Sequence, residues 1–369
     1  MKVLVAAGGT AGHILPALAL AHRLTEAHGA EVRFVGTPTG QEARLVPAAG
    51  FAFDAVDARP LPRTVSIDTL TAPVAALRAV GACTPLVDRA DVVVGMGGYV
   101  SVPVGLAAAR RRRPLVLHEQ NAVPGLANRV LSRRATAVAL TFAEAARGLS
   151  RRGRLVVTGN PVRERILAVS ERREELAAEA VGSLDLEAPR KTIVVFGGSQ
   201  GALHVNTATV DAIRVLRERS DLQVLLLTGR AHEDRIRDAL GDTGDVRVRI
   251  VGYLERMELA YAMADLVVSR AGATTCAEIA VCGVGSILVP YPHATGRHQE
   301  ANARALERVG AATVLMDDSL SGDALAAGIR GLLDDQAHLR SMGERARSWS
   351  RPEAAEALAA VVLHTGGRA

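Results

Sequence analysis

The stretch Lys2-Val-Leu-Val-Ala-Ala-Gly8-Gly9-Thr10-Ala-Gly12 decides how the chain is read, because a short apolar run breaks into glycines and then enters an Ala- and Leu-rich segment. This is the pattern of a buried strand, a tight turn and a helix. It returns as Lys191-Thr-Ile-Val-Val-Phe-Gly197-Gly198-Ser199-Gln-Gly201, at a constant offset of 189. A second pair follows, Ala90-Asp91-Val-Val-Val-Gly95-Met-Gly97-Gly98 and Ala264-Asp265-Leu-Val-Val-Ser269-Arg270-Ala271-Gly272. Repetition at this scale marks two similar units. Strand-like runs at 31–35, 114–118, 155–158, 223–228, 247–251 and 286–290 alternate with Ala-rich helical segments. The expected fold class is therefore α/β, with two doubly wound, Rossmann-like parallel-sheet domains.

The boundary is expected near Gly159-Asn160-Pro161-Val162-Arg163, where Asn-Pro opposes helix formation. The first domain would span 1–163 and the second 164–342. A C-terminal helix, about 343–369 and carrying Pro352 in its first turn, would pack back on the first domain. A chain of 369 residues exceeds one comfortable core. With 49% hydrophobic residues but 3% aromatics, that core must be built from Ala, Val and Leu, which also argues against nucleic-acid binding by stacking. Cys83, Cys276 and Cys282 form no C-x-x-C pair, so neither a disulfide framework nor a zinc site is indicated, and a reducing cytoplasm fits. Val3 to Ala7 is too short for a signal-peptide core, and no segment reaches the roughly 20 apolar residues of a spanning helix. Charge is uneven: residues 1–163 hold 20 Lys and Arg against 10 Asp and Glu, and the remainder 24 against 29. The first half is suited to lie near negative charge.

A glycine turn at the carboxyl end of a strand presents backbone N–H groups suited to phosphate. A nicotinamide site is disfavoured, since Ala7 stands where the fingerprint's first glycine belongs and Val35-Gly36-Thr37 stands where its acidic residue belongs. No Gly-Lys-Ser/Thr follows either turn, and the chain holds no Asp-x-Asp, the commonest hint of a metal-bridged nucleotide diphosphate. The run Ser269 to Glu278 has the polar groups a nucleotide-sugar needs. Its loop and helix start would hold diphosphate, Arg270 would add charge, and Glu278 could accept hydrogen bonds from ribose. Gln299, in His298-Gln299-Glu300, could read a sugar hydroxyl.

These residues carry a family resemblance. Gly8-Gly9-Thr10-Ala-Gly12-His13 with Pro16, Gly95-Met-Gly97-Gly98-Tyr99-Val-Ser101, His118-Glu119-Gln120-Asn121, Gly159-Asn160-Pro161-Val-Arg163, Gly197-Gly198-Ser199-Gln200-Gly201-Ala202 and Arg270 to Glu278 resemble the MurG family, in the right order over essentially the whole chain. That family moves N-acetylglucosamine from UDP-GlcNAc onto the lipid-linked muramyl-pentapeptide (lipid I), giving lipid II for peptidoglycan. The resemblance implies a GT-B glycosyltransferase whose two domains face across a cleft, with the donor on the C-terminal side. Residue by residue, it implies that Ser199 contacts donor phosphate or sugar and that Leu254 offers backbone to uracil. Ala273, Thr274, Thr275, Cys276, Ala277 and Glu278 would line diphosphate and ribose, and Gln299 would bind the sugar hydroxyls. Thr10, Ala11, Gly12, Asn121 and Arg163 would complete the donor site, while Gly97, Gly98 and Tyr99 would form the acceptor diphosphate loop. It further implies UDP-GlcNAc and lipid I as partners, contact with other cell-wall synthesis proteins, and a peripheral place on the anionic cytoplasmic face of the cell membrane. One departure is Gly296-Arg297, where many relatives carry acidic residues.

Making a β-linkage from an α-linked donor inverts the anomeric carbon, so one displacement suffices. It needs a base for the acceptor hydroxyl and stabilisation of UDP, with neither cofactor nor metal expected. His13, whose unperturbed pKa lies near neutrality, and Glu119, after the 114–118 strand and expected at the cleft mouth, are the two candidate bases. The run Leu61 to Arg78 mixes apolar residues, Pro73 and arginines, and suits either an irregular helix on a bilayer or packing inside the first domain. The alternatives are another GT-B enzyme, such as an antibiotic glycosyltransferase or a UDP-GlcNAc 2-epimerase, and a non-catalytic nucleotide-sugar-binding protein.

Overall fold

The computed structural model describes residues 1–58, 67–198 and 201–367. They divide into two compact units, Met1–Arg163 with Arg351–Ala369, and Glu164–Ser350.

In the first unit, β1 (Lys2–Ala6), β2 (Glu31–Gly36), β3 (Ala52–Ala55), β4 (Val92–Gly95), β5 (Leu115–Glu119), β6 (Ala137–Leu140) and β7 (Arg154–Val157) form one parallel sheet. Its order is β3-β2-β1-β4-β5-β6-β7, so the direction of winding reverses between β1 and β4. Every residue of β4, β5 and β6 is buried, as expected for strands covered by helices on both faces. The second unit repeats the plan with β8 (Lys191–Phe196), β9 (Leu222–Leu227), β10 (Arg247–Val251), β11 (Leu266–Ser269), β12 (Gly285–Leu288) and β13 (Ala312–Val314). Its order, β10-β9-β8-β11-β12-β13, reverses between β8 and β11. In such sheets ligands bind outside the carboxyl ends of the strands at the reversal, which is where the glycine turns lie.

The repeat has a physical basis at the foot of each sheet. The Asp91 carboxylate accepts from the Lys2 N–H at 2.7 Å, and the Asp265 carboxylate from the Thr192 N–H at 2.7 Å. Each aspartate N–H bonds back, to Lys2 O and Thr192 O, both at 2.9 Å. The equivalent of Lys2 in these pairs is Thr192, one residue later than the sequence offset aligns it.

The segment returning to the first unit begins at Arg351 rather than at about 343. The helix Gln336–Trp349 belongs to the second unit because Leu339 and Met342 lie in that unit's core. Gly343 also lies so close to Gly283 that an added Cβ would sit 2.4 Å from the Gly283 carbonyl oxygen. The returning helix is Ala354–Gly366. It buries Leu358, Ala359, Val361 and Val362 in the same cluster as Val3, Val5 and Ile14. Arg23 and His28, on the helix Ala11–His28, both bond Glu356. Of the run Leu61 to Arg78, residues 61–66 lie outside the described residues and the rest opens the helix Ile67–Asp88. No helix among the described residues is long and apolar enough to cross a membrane.

Candidate active site

In the first unit, three loops at the carboxyl ends of β1, β4 and β5 come together. His13 sits in the first turn of the helix Ala11–His28, with its N–H on Thr10 O at 3.0 Å and its Nδ1 at 3.2 Å from Thr10 Oγ1. The turn after β4 meets it. Gly97 has φ +94°, and a Cβ there would lie 2.9 Å from the His13 ring. Gly98 has φ +77°, and its Cβ would lie 2.5 Å from Gly8 O. Only glycine permits this backbone at this approach, so the two turns interlock. The structure thereby brings Thr10, Ala11, Gly12 and His13 together with Gly97, Gly98 and Tyr99, whose ring faces Gly9.

Glu119 is not at a mouth. It is 2% exposed, and both carboxylate oxygens are engaged. Oε1 accepts from the Asn121 N–H at 2.9 Å, and Oε2 from the Gly125 N–H at 3.0 Å and the Asn128 amide at 2.9 Å. Burial pushes its carboxyl above the usual range against these bonds. A carboxylate at the end of a buried parallel strand is overtaken by the loop that follows it, so Glu119 organises residues 121–128, and Asn121 reaches the site through it. His118 next to it is fully buried, with Nε2 donating to Gly159 O at 3.0 Å, and burial lowers its pKa to about 4. It is therefore a neutral ring with its proton on Nε2; its Nδ1 lone pair and Asn128 Oδ1 have no protein partner among the described residues. Asn128 escaped sequence reasoning because Leu126-Ala-Asn-Arg carries no motif. Arg163, half-buried, ends this unit.

In the second unit, Ser199 lies outside the described residues, and Gly198 and Gly201 flank it. Gly201 has φ +76°, donates to Gly198 O at 2.9 Å, and a Cβ on it would fall 2.1 Å from Thr228 O. Ala273, Thr274, Thr275, Cys276, Ala277 and Glu278 are the first six residues of the helix Ala273–Cys282, which starts from Gly272, three residues past the end of β11. Cys276 is buried, and burial pushes its thiol up to about 12, so its sulfur is inert and its backbone is what it offers. Glu278 is 6% exposed and accepts from the Tyr261 hydroxyl at 3.0 Å.

Arg270 departs from expectation. Its Nη1 is spent on Val289 O at 3.3 Å, Pro290 O at 3.2 Å and Asp317 Oδ1 at 2.5 Å. Burial works against the Asp317 charge, but hydrogen bonds from Arg270 and His204 hold its carboxyl below the usual range. Arg270 is thus an internally paired cation that braces the loop after β12, and Asp317 is a partner no local motif announces. Gln299, in the first turn of the helix His298–Arg308, accepts through Oε1 from the Tyr291 N–H of that loop at 2.9 Å. Gly296 and Arg297 take left-handed conformations in succession, φ 62° and 53°, and Arg297 pairs with Glu300 at 2.6 Å. Leu254 is half-buried between β10 and the helix Met257–Met263, next to Tyr253, whose ring lies under the Arg230 guanidinium at 5.0 Å.

Comparison with known proteins fits this layout. Residues 3–140 match the glycosyltransferase family 28 N-terminal domain and residues 192–358 the glycosyltransferase family 28 C-terminal domain. The chain is 42% identical over 374 residues to the UDP-N-acetylglucosamine--N-acetylmuramyl-(pentapeptide) pyrophosphoryl-undecaprenol N-acetylglucosamine transferase of Halothermothrix orenii, covering 99% of each chain. It is also 42% identical to the transferase of that name from Desulfitobacterium hafniense, again over 99% of each. The crystal structure of Acinetobacter baumannii MurG superposes with a TM-score of 0.79 at 29% identity, covering 98% of this chain and 99% of that one.

The chain belongs to the MurG family. Membership makes it a glycosyltransferase of the GT-B fold, and its two parallel sheets are the two family 28 domains.

Proposed function

We propose that this chain transfers N-acetylglucosamine from UDP-GlcNAc to the undecaprenyl-pyrophosphoryl-linked muramyl-pentapeptide, with inversion and without a metal. The observation that carries it is kinship over the full chain with transferases of that name, joined to a histidine held at the first sheet's reversal point. His13 is the base. In the tautomer that protonates Nδ1 and donates to Thr10 Oγ1, Nε2 carries the lone pair that takes the acceptor hydroxyl proton. Glu119, whose oxygens already accept three N–H bonds, positions Asn121 rather than moving a proton.

The departing UDP needs its growing negative charge met. In the second unit the N-terminus of the helix Ala273–Cys282 meets it with oriented N–H groups, a role that requires no divalent ion. Arg270 contributes by holding the Pro290 loop and through it Gln299, and Glu278 receives the ribose hydroxyls beside Tyr261. Thr10 to Gly12, Asn121, Arg163, Ser199 and Leu254 contact the donor as the family resemblance implies.

The test is transfer of labelled sugar to a short-chain lipid I analogue in excess chelator. His13→Ala should lower kcat on the order of 10²- to 10⁴-fold with donor affinity unchanged. Unchanged turnover removes His13 as base, and loss of activity on chelation removes the metal-free reading.

A peripheral place on the cytoplasmic face of the membrane follows from the same reading. The helix Leu126–Leu131 exposes Leu126 (65%) and Val130 (45%), one turn apart, with Arg129, Arg133 and Arg134 exposed around them. Apolar side chains ringed by arginines suit an anionic bilayer. Leu126→Asp with Val130→Asp should reduce sedimentation with anionic vesicles several-fold, and wild-type protein that sediments with none overturns the attachment.

A further inference from the structure

In doubly wound sheets the turn after the first strand is where a ligand's phosphate usually rests. Here one N–H of that turn, that of Gly9, is taken by a carboxylate from inside the protein. Glu42, the first residue of the helix Glu42–Ala48, is fully buried. Its Oε1 accepts from the Thr37 N–H at 2.9 Å and the Thr37 hydroxyl at 2.7 Å, and its Oε2 from the Gly9 N–H at 3.3 Å. The surrounding backbone is cleared for it. A Cβ on Gly8 would lie 2.7 Å from Oε1, one on Gly36 2.4 Å from Cγ, and one on Gly40 2.2 Å from Oε1. Three glycines, one after β1 and two at the end of β2 and in the loop that follows it, thus leave a space shaped to a carboxylate.

We propose that Glu42 is a positioning residue for the transfer reaction, an internal carboxylate that holds the first glycine turn from beneath and fixes His13. The connection is short. Glu42 holds Gly9, Gly9 leads into Thr10, and Thr10 holds His13 twice, by its carbonyl at 3.0 Å and its hydroxyl at 3.2 Å. From the other side Gly97 and Gly98 lie against His13 and Gly8 O, so the turn is clamped between a carboxylate below and the β4 turn beside it. A buried carboxylate with three charge-assisted donors keeps one geometry, which a base must hold within a fraction of an ångström to act.

The inference rests on His13 being the base. Steady-state transfer to the short-chain acceptor is measured for Glu42→Gln, Thr37→Val, Glu42→Ala and His13→Ala, with the His13 ring followed by ¹H–¹⁵N NMR. Glu42→Gln is expected to lower kcat at least tenfold with the donor KM within twofold and with displaced His13 ring signals. Thr37→Val, which removes one donor and keeps the charge, should do the same to a smaller degree at an unchanged melting temperature. Added formate should restore part of the turnover lost in Glu42→Ala and none of that lost in His13→Ala. Wild-type kcat and unshifted His13 signals in both Glu42→Gln and Thr37→Val overturn the proposal, and where Glu42→Gln does not fold, Thr37→Val with those signals decides. Wild-type kcat in His13→Ala instead removes the base assignment, while the His13 signals still report whether Glu42 sets the turn.

Discussion

The two glycine turns occupy equivalent places, after β1 and after β8, and reach nearly the same backbone, φ +93° at Gly9 and +90° at Gly198. Their surroundings differ. The first is held by a buried carboxylate and interlocks with the turn after β4. The second closes on itself through the Gly201 N–H and presses on the backbone of Thr228. The units differ likewise in continuity: the second is one run of chain, while the first is completed by Arg351–Ala369. A common fold thus sets where a site lies, and the side chains brought beneath each turn set what it can do there.

The largest expected effect breaks the comparison at the level of stability. Leu358→Ala removes a fully buried side chain from the first unit's core and should cost that unit about 2–5 kcal/mol in urea unfolding. UDP binding by the second unit, followed by calorimetry, should persist at denaturant concentrations where turnover has vanished. Loss of both together would mean that the units unfold as one.

Next come the turns themselves. Gly98→Ala and Gly201→Ala each force a Cβ onto a carbonyl oxygen in a left-handed residue. The first should lower kcat about 10- to 100-fold, and the second should weaken UDP binding by a similar factor, roughly 1.4–2.7 kcal/mol. Reversal of the two phenotypes would exchange the roles assigned to the turns.

The smallest effect is a pH slope. His118 is held near a pKa of about 4 when folded and returns to about 6.5 when unfolded, so the unfolded chain binds more protons between those values. Its contribution to stability is complete above pH 6.5 and is lost as pH falls toward 4, at up to ~1.4 kcal/mol per pH unit. Glu119, raised by burial, has the opposite sign: its contribution is present below the unfolded pKa and lost as pH rises through the folded one. His118→Gln should therefore flatten the acid limb of a melting-temperature profile, and Glu119→Gln should steepen it. A common sign would contradict the burial of one of them.

Much of the site was legible where it depends on backbone. Gly8-Gly9, Gly97-Gly98, Gly198, Gly201 and the Gly272 helix start are places where backbone geometry favours glycine, and so they are visible in one dimension. The buried carboxylates were not. Glu119 was expected at a mouth and is an internal acceptor, Arg270 was expected to face phosphate and is paired with Asp317, and Glu42 gave no signal although it stands close to the place where a dinucleotide fingerprint would put an acid. A charged side chain reads as exposed until the donors that surround it are known, and those donors are fixed by how the loops fold around it, as residues 121–128 do around Glu119, or by distant segments, as Arg270 is for Asp317.

The sequence by itself determined the class of the fold, the repeat, the absence of a dinucleotide fingerprint and the positions of the turns, because hydrophobic period and glycine placement act locally. Only the tertiary structure decided that the chain crosses back at Arg351, that Thr192 rather than Lys191 matches Lys2, and that Glu42, Glu119 and Asp317 spend their charge inside the protein. Those outcomes depend on which groups the folded chain brings together, and the cost of burying an unpaired charge then leaves them one arrangement.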